Sequence, residues 1–255
     1  MTRLVRTELL KLRTIRMNYG LLAAAGALTA LISVLIASRA GHAVGLGGDI
    51  VPSLATVDGL TRVVTATRFG MLFATVFGVI VSSSELRHST ATPTYLAAPH
   101  RNRVMIAKIV AAALVGLAFG LVASGVATAV GLAFVSAKGF TVALSAATML
   151  RFAAGAAAGA ALLAAAGTAV GSLVRQQVVA VVGVVAWGIV IEEILAGLFP
   201  AEARYLPYTA AIAMGGRAGQ RSTVLPMWGA AALLAGLAVV IAMIASRTTV
   251  PRDIA

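Results

Sequence analysis

The sequence predicts an all-α integral membrane protein: six transmembrane helices, an amphipathic helix near the N-terminus, and a short helix in one long polar loop. Three observations lead there. Of 255 residues, 60% are hydrophobic and only 11% charged, far from the balance of a soluble domain. The apolar residues gather in runs long enough to cross a bilayer core of about 30 Å. The formal charge of +12 comes mainly from arginines flanking those runs, as expected at membrane surfaces, so no nucleic-acid partner is implied. The chain has no cysteine, and its three histidines are scattered, so neither disulfides nor a metal site are expected.

Residues 1–18 predict an interfacial helix. At about 100° per residue, Leu4, Val5, Leu9, Leu12 and Ile15 share one arc, opposite Arg3, Arg6, Lys11 and Arg13. Glu8 falls inside the apolar arc, where it either meets protein or pairs with Lys11 at i, i+3. The first span covers residues 19–38. Ser38-Arg39-Ala40 has the look of a signal-peptide cleavage site, but the preceding run is longer than the roughly 7–15 residues of a signal core, so a retained span is expected.

Residues 39–60, with Pro52, Asp49 and Asp58 among several glycines, read as a loop. The second span covers 62–84, with Arg62 and Arg68 in its outer part. The third, 104–135, exceeds one bilayer crossing and must tilt or project. The fourth, 150–174, carries Gly155 and Gly159, then Gly167 and Gly171, two GxxxG units suited to packing within the bundle or against a second subunit. A turn at Arg175 leads to the fifth span, 178–199, and the sixth covers 227–246. Between these two, Pro200, Pro207, Gly215, Gly216 and Gly219 break residues 200–226 into pieces, with 208–214 as one short helix. The N-terminus, the loop at 85–108, the Arg175 turn and the C-terminus hold twelve Lys or Arg against eight in the other loops, which places both termini in the cytoplasm.

The loop ELRHSTATPTYLAAPHRNRVMIAK, residues 85–108, is the only long polar interruption between two strongly apolar segments. Thr92 is placed to cap a helix whose first position is Pro93, and Pro99 stops it, giving a short helix over 93–98 with Arg101 and Arg103 beyond. A helix of that length needs a surface to lie on. The order Glu85, Arg87, His88, Thr90, Tyr95, Leu96, Pro99, Arg101, Arg103, Ala107 and Lys108 resembles the first cytoplasmic loop of bacterial ABC transporter permeases of the type 2 exporter class. The resemblance implies that this helix is a cytoplasmic coupling helix docking on a separately encoded ATPase. It also implies two permease subunits, alike or different, with two ATPase copies in the bacterial inner membrane. In that family, short helices between the last two spans dip into the outer leaflet; residues 200–226 fit either that arrangement or a surface loop.

The chain has no G-x-x-x-x-G-K-[ST], H-E-x-x-H or G-x-S-x-G motif. No catalytic role or bound cofactor is therefore expected of it, and the resemblance assigns ATP and magnesium to the partner ATPase. The alternatives are an ion-coupled secondary carrier using Glu192 or Glu193, the only acids well inside a predicted span, or a non-transporting membrane scaffold. At about 1.5 Å per helical residue, Arg68 and Glu192 reach the same depth, roughly 25 Å from Glu85 and Arg175 respectively. Arg68 is thus placed to pair with Glu192 or Glu193 as an outer gate, or each side chain reaches the surface separately.

Overall fold

The computed structural model describes residues 2–44, 49–87, 101–174, 176–216 and 224–248. It is an all-α bundle with six helices long and apolar enough to cross a membrane, apart from one antiparallel pairing of β1 (Ala43–Val44) with β2 (Asp49–Ile50). The chain is a multi-pass membrane protein. The proposed helix over 93–98 lies outside the described residues.

Helix α1 (Thr2–Thr14) meets α2 (Arg16–Ser38) at a corner locked by side chains from the second helix. Asn18 Nδ2 donates to Leu12 O at 2.6 Å and Tyr19 Oη to Arg13 O at 3.0 Å. These bonds satisfy carbonyls that the end of α1 would otherwise leave unpaired. Leu12 and Glu8, one turn apart, are the buried positions among the described side chains of α1, and the helix packs against the third span, whose Lys108 is also buried. Glu8 satisfies both sequence readings: it is 6% exposed, and it accepts from Lys11 Nζ at 3.0 Å. Ile15 departs from the expected apolar arc; it sits at the corner and is exposed.

The second span is two helices, α3 (Val57–Val64) and α4 (Arg68–Arg87), where one helix from residue 62 was expected. Thr56 starts α3 inside the expected loop by accepting from Gly59 N at 3.1 Å, and Asp58 in the first turn complements the helix dipole. The chain breaks at Thr65, Ala66 and Thr67 before α4 begins at Arg68. The third span is the single helix α5 (Arg101–Ala137), and the fourth, α6 (Ala146–Leu173), starts four residues earlier than expected because Ser145 Oγ accepts from Thr148 N at 3.2 Å. The fifth span is α7 (Gln177–Ala186), a π-helical turn (Trp187–Ile191) and α8 (Glu192–Leu198). After it come a 3-10 turn (Ala203–Tyr205), the short helix α9 (Pro207–Met214) and the sixth span, α10 (Met227–Thr248).

Helix α6 is the hub, packed against α4, α5, α9 and α10. Its glycines explain why. A Cβ on Gly155 would run into Met214 O of α9, and one on Gly167 or Gly171 into Thr75 O or Val79 O of α4. Gly78 of α4 is seated in the same way against Ala164 O of α6. Both GxxxG units therefore serve contacts within the chain, where absent side chains let backbones approach closely enough for dispersion to hold helices together without hydrophobic drive. Two large apolar cores result, beside a small cluster of Ala165, Ala166 and Ala238. One, from Leu12 and Ala25 to Met71, Phe77, Phe119, Leu163 and Leu234, fills the bundle; the other, with Ala37, Leu60, Val63, Val64 and Val135, lies around α3.

Candidate functional site: an ion pair and a buried carboxylate at the π-helical turn

The fifth span brings two adjacent acids to the start of α4 and the start of α9. Arg68 is the first residue of α4, and its guanidinium forms an ion pair with Glu193 Oε1 while also donating to Gly188 O. Gly188 lies in the π-helical turn, whose wider winding shifts the backbone pairing so that Glu192 N–H bonds to Trp187 O. Such a turn presents backbone acceptors sideways and recurs at functional sites. The arginine is thus held to the fifth span by one side chain and one carbonyl, with 27% of its side chain exposed against 54% for Glu193.

Glu192 takes a different partner. It is 1% exposed and faces α9. Leu206 precedes that helix and has no polar side chain to cap it, while Pro207 at the first position has no N–H to offer. The next two N–H groups, on buried Tyr208 and half-buried Thr209, are donors in need of acceptors. Glu192 Oε2 accepts from Tyr208 N at 3.1 Å, and Oε1 accepts from Thr209 N at 2.5 Å and from Thr209 Oγ1 at 2.9 Å. The carboxylate caps α9 across the loop, at the helix end where negative charge is favoured. Tyr208 closes the arrangement: its ring lies against Gly188, which has no Cβ to keep it away, and burial pushes its phenol well above the ordinary range, so it stays neutral.

The sequence offered Glu192 and Glu193 as equivalent partners of Arg68; the structure divides them, giving Glu193 to Arg68 and Glu192 to α9. Nor does Glu192 reach for the surface. Consecutive helical positions point about 100° apart, so two neighbouring acids face different elements. The capping role of Glu192 was visible only indirectly, in the uncapped Leu206-Pro207 start of α9, and nothing in the sequence marks the π-helical turn.

The remaining candidate residues sit elsewhere. Glu85 and Arg87 lie in the last turn of α4, Arg101 opens α5, and Arg103 follows it as an exposed residue. His88, Thr92, Tyr95, Leu96 and Pro99 lie outside the described residues. Arg13, at the far end of the bundle from Arg68, is exposed, and no group of acids and histidines suited to a metal occurs among the described residues. No protein-family model and no curated protein matches this chain, so its functional reading rests on its residues and their geometry.

Proposed function

We propose that this chain is the membrane-spanning permease subunit of an ATP-driven ABC exporter, working with a second permease subunit and two copies of a separate ATPase. The observation that carries the reading is α4. This helix runs from Arg68, at the ion pair, to Arg87, at the edge of the polar loop that resembles a coupling loop. At about 1.5 Å per residue it is roughly 28 Å long, close to the thickness of a bilayer core. Most of the second span is buried by the helices around it, 83% of its most apolar window. A push on the loop at one end of such a helix is delivered at the other end, where Arg68 leaves or keeps Glu193.

In this reading, the basic residues of α1, the loop, the Arg175 turn and the C-terminus face the cytoplasm of a bacterial cell, and α1 lies along the inner membrane surface. The loop docks on the ATPase, which binds ATP and magnesium; this chain binds neither. The short helix α9 dips into the outer leaflet, tethered to the fifth span by Glu192. The carrier alternative is less well supported, because Glu192 is already committed to the N–H groups of α9 and Glu193 to Arg68. Co-expression with a candidate ABC ATPase subunit tests the proposal. A stable complex whose ATP hydrolysis depends on this chain is the expected result; ion-gradient-driven transport by this chain alone would overturn it.

A further inference from the structure

Between its two larger apolar cores the bundle contains a layer of hydroxyls. On α2 the buried stripe reads Ala25, Thr29, Ser33, Ala37, one residue per turn. Ala25 belongs to the core with Met71 and Ala74 of α4, and Ala37 to the core with Leu60, Val63 and Val64 of α3. Thr29 and Ser33 therefore fall at the level of the part of the second span between Val64 and Met71, which contains the break at Thr65, Ala66 and Thr67. Helix α5 completes the enclosure: Ala123 touches Gly70 just below the break, and Gly131 lies against Leu60, Val63 and Val64 just above it. Ser124, at that level of α5, is 1% exposed.

These hydroxyls are sealed from solvent. Thr29 and Ser33 are 0% exposed and Thr67 is 2% exposed, yet their hydroxyl oxygens meet no hydrogen-bond partner within the chain. Other hydroxyls are treated differently, including that of Thr65 at the break itself, which donates to Thr61 O at 2.7 Å. Thr75, Ser83 and Thr168 each donate to the carbonyl four residues back, at 3.0, 2.8 and 2.9 Å. The break adds backbone groups to the same layer. Thr67 N turns back to Thr65 O and Ala66 N to Val63 O, so no backbone N–H of the described residues donates to Val64 O or Ala66 O. The first N–H groups of α4 likewise lack backbone acceptors.

We propose that the break in the second span is an internal hydration site, in which bound water bridges Thr29, Ser33 and Thr67 and the unpaired backbone groups between α3 and α4. The mixture of groups selects the ligand. Hydroxyls and N–H groups supply donors, and carbonyls supply acceptors; water uses both, whereas a metal cation uses only acceptors. The layer contains no carboxylate to neutralise a cation, and the nearest charged residue along the chain is Arg68, itself positive. A buried water typically makes about three hydrogen bonds to groups otherwise unsatisfied. Such water also explains how non-helical backbone is sustained at membrane depth, where each unpaired polar group is costly.

The test combines imaging with a thermodynamic cycle on the full-length protein in detergent. Density of one or more ordered waters within hydrogen-bonding distance of the Thr67 hydroxyl is expected at high resolution. In melting measurements, Thr29→Val and Thr67→Val should each lower the transition, and the double variant should fall by clearly less than the sum, since both remove partners of the same water. Replacing sodium by potassium or choline should change nothing. The proposal is overturned by additive effects, by density showing the hydroxyls turned onto their own i−4 carbonyls with no water between, or by a melting transition that follows the alkali cation. Should a valine variant fail to fold, the density in the unaltered protein decides alone.

Discussion

Glu192 Oε1 accepts both the backbone N–H and the side-chain hydroxyl of Thr209, so one buried carboxylate on the fifth span fixes the start of a helix that follows it by a loop. Removing that carboxylate leaves the N–H groups of buried Tyr208 and half-buried Thr209 without an acceptor. Glu192→Ala is expected to destabilise the protein by about 1–3 kcal/mol for each orphaned N–H, while Glu192→Gln, which keeps a carbonyl acceptor, costs less. Thermal unfolding in detergent checks the order: native highest, then the glutamine variant, then alanine. A native-like melt for Glu192→Ala would contradict the capping role.

The Arg68–Glu193 pair predicts the opposite profile. Because both side chains are partly exposed, the pair is worth only about 0–1 kcal/mol of stability, and its loss should show in transport instead. Arg68→Glu and Glu193→Arg should each reduce export, and the double swap should restore part of it. Glu192→Arg should not be rescued by Arg68→Glu, because Glu192 belongs to α9. Export unaffected by either single change would end the gate interpretation.

Glycines divide by what their missing Cβ would meet. Gly167→Val and Gly78→Val push into backbone carbonyls across the α4–α6 seam and should cost about 1–3 kcal/mol or more, with loss of folded yield. Gly236→Ala and Gly125→Ala have nothing within 4 Å of the new carbon and should be neutral or slightly stabilising. Folded yield by size-exclusion chromatography distinguishes the two groups.

The polar loop predicts a defect in coupling without a defect in insertion. Tyr95→Glu combined with Leu96→Glu should weaken association with the ATPase, because an apolar docking surface would then bury unpaired charge. Unchanged binding and transport in a well-expressed variant would point to a helix that rests on lipid alone.

Orientation is testable because the chain has no native thiol. In sealed cells Gly47→Cys, Lys138→Cys and Arg217→Cys should react with an impermeant reagent from outside, and His100→Cys, Gln176→Cys and Arg252→Cys should not. Labelling at position 100 from outside would invert the proposed topology.

What the sequence determined by itself was the set of spanning helices and the break points around α9, because both depend on short-range facts. A run of apolar residues needs only its own length to cross a bilayer, and Pro207 announces a helix start wherever it sits. The surface charge asymmetry was also legible, since it is a count. The tertiary structure alone decided which partners each polar group received. Thr56 drew α3 into what read as a loop, and the chain broke at Thr65, Ala66 and Thr67, residues with no proline or glycine among them to announce it. Glu192 and Glu193 are neighbours of one residue type, distinguished only by the roughly 100° between successive helical positions and by what packs on each side. Four glycines in α6 suited a neighbour in the bundle or one in another subunit equally well; the packing of α4 and α9 against them settled the matter, because close backbone approach depends on what lies opposite.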